Sequence, residues 1–156
     1  MRKVYRILAY LIAAEVAIQA MAMVYGIAGL DKWISDGGVF DMATRQNDDS
    51  AFPEAVGFML HGINGSIIIP VLALALLVVS FFAKIPNGVR WAGLVFLLVV
   101  IQVNLGFAGP AVPALGALHG LNALALFAVA FFAARRARTT TPEPAEQPQA
   151  RIRSAA

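Results

Sequence analysis

The sequence predicts an all-α integral membrane protein, and three observations carry that reading. Of 156 residues, 60% are hydrophobic and 13% are charged. Four apolar segments reach the length of about 20 residues that crosses a bilayer as a helix. With four spans, nearly all the basic residues fall on one side of the membrane.

The first span covers 4–30. Arg2, Lys3 and Arg6 before an apolar run, with Ala20-Met21-Ala22 further on, resemble a secretory signal. Glu15 interrupts that run and hydrophobicity continues well past Ala22, so the segment reads as a retained helix. The second span covers 55–83, the third 89–108 and the fourth 113–134. The link from Lys84 to Arg90 is a tight Pro-Asn-Gly turn, and Gly109-Pro110 to Pro113 closes the second hairpin. The expected architecture is a four-helix bundle of two tandem helical hairpins.

Arg2, Lys3, Arg6, Lys84, Arg90, Arg135, Arg136, Arg138, Arg151 and Arg153 fall on one side, and only Lys32 and Arg45 on the other. Both termini are therefore expected in the cytoplasm. The net charge of +3 then reflects topology and contact with anionic lipid, not nucleic-acid binding. The one sizeable loop, 31–54, is outer and acidic, with six carboxylates against Lys32 and Arg45. Gly37-Gly38 and Asn47-Asp48-Asp49-Ser50 read as turns, and 39–42 as a short interfacial element. Trp33 and Trp91 stand where aromatic anchors meet the outer and inner interfaces. Residues 1–138 form the transmembrane domain. From Thr139 to Ala156 the Thr/Pro/Glu/Gln composition cannot bury a core and predicts a disordered cytoplasmic tail.

The chain has no cysteine, which excludes disulfides, thiolate-ligated haem, iron–sulfur clusters and zinc–thiolate sites. No nucleophilic triad, phosphate loop or nucleotide fingerprint is visible. What stands out is a repeat: His61-Gly62-Ile63-Asn64 returns as His119-Gly120-Leu121-Asn122, and these are the only two histidines. Ile18-Gln19 in the first span is echoed by Ile101-Gln102 in the third. His61 lies eight residues after Pro53 and His119 six after Pro113, so at 1.5 Å per residue both imidazoles sit about 10 Å below their helix starts. Polar groups at membrane depth are expensive and mark functional sites.

Helical spacing puts Glu54, Gly57, Phe58, His61, Asn64, Gly65 and Ile68 on one face of the second span. Leu115, Gly116, His119, Asn122, Ala123 and Leu126 share a face of the fourth. Small residues beside each histidine, Gly65 and Gly116 among them, leave room for a porphyrin, and neutral imidazole is a frequent axial ligand of haem iron. One b-type haem held by His61 and His119 is the reading this pattern favours. Two others stand beside it: a polar cluster that joins helices through His and Asn, and a quinone or other metal site. Gln102 is preferred over Asn104 as the glutamine-level partner, since Gly106 and Gly109 share its stripe. Glu15, with Gln19 one turn on, is either neutral and hydrogen-bonded or a proton relay. Lys32 and Arg45 are the basic residues on the side to which haem propionates would point.

With one histidine on its second helix and one on its fourth, residues 4–134 resemble half of a haem A synthase and are similar to four-helix membrane b-type cytochromes, the cytochrome b561-like proteins included. The chain also resembles small bacterial membrane proteins without assigned function, which implies a multi-pass protein of the bacterial plasma membrane. The resemblance implies haem b and one-electron exchange with a quinone or an outer-face redox protein. Haem A synthases place a glutamate and an arginine close to the second-helix histidine, whereas Phe58-Met59-Leu60 precedes His61 here. The oxidative chemistry therefore does not carry over directly. Two alternatives remain: a haem-free accessory subunit of a larger membrane complex, and a half-size haem-modifying oxidase acting as a homodimer.

Overall fold

In the computed structural model, residues 1–46 and 51–138 are described. The elements are α1 (Arg2–Ser35), α2 (Met42–Gln46), a 3-10 turn (Pro53–Ala55), α3 (Val56–Ile63), a π-helical turn (Asn64–Ile68), α4 (Ile69–Ser80), α5 (Gly88–Ala108) and α6 (Pro113–Arg136). The 3-10 turn, α3, the π turn and α4 run on as one long helix, Pro53–Ser80. The described residues are all-α, and four helices are long and apolar enough to cross a membrane. The outward surface fits that solvent: Met21, Phe107 and Leu124 are each more than two-thirds exposed, and apolar surface on this scale is not left in water.

Each long helix packs against two others. α1 lies against α4 and α6, and α5 lies against α4 and α6. The second and fourth long helices therefore stand diagonally across the assembly. The end holding the chain termini and the 81–87 link is termed proximal here, and the opposite end distal.

The apolar core is one-sided. Tyr5, Ala9 and Ile12 from α1 meet Ile69, Ala73 and Leu76 from α4, Val95 and Val99 from α5, and Leu126 and Ala130 from α6, all buried. Every one of these lies in the proximal half. The Tyr5 hydroxyl donates to the Gly88 carbonyl at 3.1 Å and the Arg2 guanidinium to the Lys84 carbonyl at 3.0 Å, tying α1 to the proximal link. In the distal half, α3 packs on α1 and contributes no apolar side chain to this core. Contact there is made by a separate aromatic cluster, Trp33 stacked on Phe52 and Phe52 edge-on to Phe58, and by small residues. A Cβ added to Gly57 would stand 2.4 Å from the Ala22 carbonyl oxygen, so the α1 and α3 backbones touch.

Two features depart from the sequence expectations. The short element of the distal loop is a helix over Met42–Gln46 rather than a segment over 39–42. Asp41 precedes it and accepts the Thr44 amide at 2.8 Å, which holds its carboxyl below the usual range and caps the helix. Within the second long helix, the Ile69 amide donates to the Asn64 carbonyl, an i−5 bond, as the helix widens into a π turn. Pro70 follows with no N–H to give. The extra residue shifts the buried stripe by one position: Ile69 is 4% exposed and Ile68 45%, so Ile68 does not share the His61 face. The expected 47–50 turn and the 139–156 tail lie outside the described residues.

Candidate functional site

On the distal side of the apolar core lies a layer of polar side chains. α1 brings Glu15 and Gln19, the second long helix His61 and Asn64, α5 Gln102, and α6 His119 and Asn122. The two imidazoles come from diagonal helices and face each other, with ring centroids 6.0 Å apart and planes at 60°.

The two hairpins build this layer in parallel. His61 Nδ1 is 3.2 Å from the Gln19 carbonyl oxygen and His119 Nδ1 is 3.0 Å from the Gln102 carbonyl oxygen. A carbonyl only accepts, so each ring donates from Nδ1, and the tautomer with that proton keeps a lone pair on Nε2. The asparagine of each motif, three residues on, reaches one turn before the glutamine. Asn64 Nδ2 donates to a Glu15 carboxylate oxygen at 2.7 Å, and Asn122 Nδ2 to the Leu98 carbonyl at 2.9 Å. Glu15 and Leu98 each lie four residues before their glutamine. The Gln19–Gln102 echo is therefore a structural equivalence, expressed through backbone carbonyls.

The halves differ in the glutamine side chains. Gln102 is satisfied: its Oε1 accepts Asn122 Nδ2 at 2.6 Å and its Nε2 lies 3.2 Å from His119 Nε2, to which it donates. Gln19 is 8% exposed, and neither atom of its amide has a hydrogen-bond partner among the described residues. Its Oε1 lies 3.3 Å from the position of a Cβ on Gly65. Gly65 thus makes room for the glutamine of the neighbouring helix.

The remaining expected site residues fall as follows. Gly116 packs against Gly109 across the α5–α6 turn, 3.8 Å from an added Cβ to Gly109 Cα, and lies one turn before His119. Gly106 stands against the edge of His119, 3.1 Å from an added Cβ to ring Cε1. Asn104 is exposed and donates to the Val100 carbonyl at 2.8 Å, which leaves Gln102 as the partner of the site. Lys32 is paired with Asp36, four residues on, an i,i+4 ion pair that could have been read from the sequence. The side chain of Arg45 lies outside the described set. Among the described residues, no group of three His, Cys, Asp or Glu side chains is arranged to hold a metal ion, so a metal here would rest on the two imidazoles and its own macrocycle.

A protein family described as a family of unknown function (DUF6220) matches residues 50–108. That stretch holds His61, Asn64 and Gln102 and stops before α6 and His119. No curated protein and no solved structure matches the chain.

Proposed function

We propose that this protein is a four-helix membrane bundle of two tandem hairpins in a bacterial plasma membrane, with both termini cytoplasmic. In this reading it holds one b-type haem between His61 and His119 and exchanges single electrons with a quinone or an outer-face redox protein. The observation that carries the proposal is the matched orientation of the two imidazoles, each held by Nδ1–H on the carbonyl of its hairpin's glutamine. Metal-binding histidines commonly donate their second nitrogen to a carbonyl, which fixes the tautomer and aims the other lone pair.

The separation suits a shared iron. His61 and His119, with ring centroids 6.0 Å apart, would hold the haem iron between them. A bound haem would supply reversible one-electron chemistry, and the protein would tune it through ligation and burial. The Gln19 and Gln102 carbonyls keep both rings in the ligating tautomer. Asn64 and Asn122 tie the motif helices to their partners at the same level. His119 would hold the group through Nε2, the atom that Gln102 Nε2 contacts at 3.2 Å.

That contact also favours a second reading. His119, Gln102 and Asn122 form a closed hydrogen-bonded set, which can join helices without any cofactor. A reduced-minus-oxidised absorption spectrum of protein expressed with ample haem separates the two. A sharp b-type α-band, lost or converted in both His61→Ala and His119→Ala, is the expected result. A colourless, folded wild type would leave the polar cluster as the function of the repeat.

A further inference from the structure

The proximal end carries a groove for which the paired histidines have no use. It lies between the start of α5 and the end of α6, has a volume of about 300 Å³, and is lined by Asn87, Arg90, Trp91, Leu94 and Arg136. Among the described residues, no carboxylate lines it. The Arg136 guanidinium lies over the Trp91 ring, 5.0 Å from the centroid, a cation–π arrangement that places the charge beside the indole. Arg90 precedes Trp91 on α5, and Leu94 follows one turn deeper into the apolar span, 40% exposed. The groove therefore grades from two cations and an amide at its rim, through an aromatic ring, to an aliphatic wall.

That gradient is the inverse of one class of molecule. A phosphate diester accepts the forked N–H donors of arginine. An indole rests at the level where headgroup meets hydrocarbon, and an acyl chain lies against leucine. We propose that this groove binds one anionic phospholipid, its phosphate held by Arg90 and Arg136 and the start of its acyl chain laid on Trp91 and Leu94. Basic pockets between helices on the cytoplasmic side suit such headgroups, because that leaflet carries anionic lipid. Free phosphate offers the same charge but nothing for the indole and leucine wall to hold. Arg135, one residue before Arg136, lies over Phe131, 5.9 Å from the ring centroid, and does not line the groove. It is a matched charge outside the site.

The test uses the full chain in detergent, supplied with phosphatidylglycerol or phosphatidylcholine and examined by native mass spectrometry. Wild type should retain one phosphatidylglycerol per chain in preference to phosphatidylcholine. Arg90→Gln with Arg136→Gln should lower retention roughly thirtyfold, as removal of two interfacial cations implies, while Arg135→Gln leaves it unchanged. If the double variant misfolds by circular dichroism, each single substitution should lower retention roughly fivefold on the same grounds. Millimolar inorganic phosphate should neither bind nor displace the lipid. Equal retention of the two lipids, an equal loss in Arg135→Gln, or displacement by phosphate would overturn the proposal. The outcome does not depend on whether haem binds.

Discussion

At the residue scale, the glycines separate packing from motif. Gly57 admits the α1 backbone, since a Cβ there would meet the Ala22 carbonyl oxygen at 2.4 Å and the Gly26 nitrogen at 2.9 Å. Neither atom belongs to a flexible side chain, so the helices would have to part. Gly57→Ala is expected to lower unfolding stability in mixed micelles by about 1–3 kcal/mol, the range for overpacking a close contact. The glycines of the repeated motif behave differently: a Cβ on Gly62 or Gly120 meets nothing within 4 Å. Gly62→Ala and Gly120→Ala in haem-free protein should stay within about 0.5 kcal/mol of wild type, as substitutions in open surroundings do. If Gly62→Ala proved as damaging as Gly57→Ala, the motif glycine would have a packed neighbour, and this account of the distal half would fail.

At the element scale, the π turn is what reconciles two faces of one helix. His61 and Asn64 must meet α1 at the polar layer, while Ile69, Ala73 and Leu76 must meet the core below it. One residue more than an α-helix needs lies between them, and Pro70 cannot restore the α-type bond there. Deleting Ile67 together with Pro70→Ala should yield a continuous α-helix with both faces kept, and a folded protein of near-normal thermal stability. Deleting Leu74 instead turns everything before it by about 100° against the rest, and should sharply lower stability. Equal damage from the two deletions would deny the π turn its role as a register adjuster. Much of this was legible in the sequence: the four spans follow from apolar length, and the His-Gly-x-Asn repeat placed the polar layer. The π turn was not, because helical spacing assumes a constant 3.6 residues per turn and so placed Ile68 where Ile69 lies. Nor was the contrast between Gln19 and Gln102. Sequence makes them equals, but only the second meets an asparagine and an imidazole with its side chain, because Asn64 turns to Glu15 instead.

For the whole molecule, charge and packing divide the structure along the same axis. The proximal end joins the dense core to Arg2, Lys84, Arg90, Arg135 and Arg136, while the described distal loop exposes Asp31, Asp36 and Asp41 beside Lys32. Moving a cluster of guanidinium groups through a bilayer is far more costly than leaving it on the side of synthesis, and acidic residues bias orientation little. The proximal end should therefore face the cytoplasm. The natural chain has no cysteine, so a single introduced thiol reports its side without background. Val39 and Arg138 are both exposed, at the distal and proximal ends respectively. In intact spheroplasts, a membrane-impermeant maleimide should label Val39→Cys fully and Arg138→Cys only after lysis. The reverse pattern would put the polar layer in the inner half of the membrane and the arginine groove on the outer leaflet. An outer-face electron partner and a cytoplasmic-leaflet lipid would then both be untenable, whatever the absorption spectrum showed.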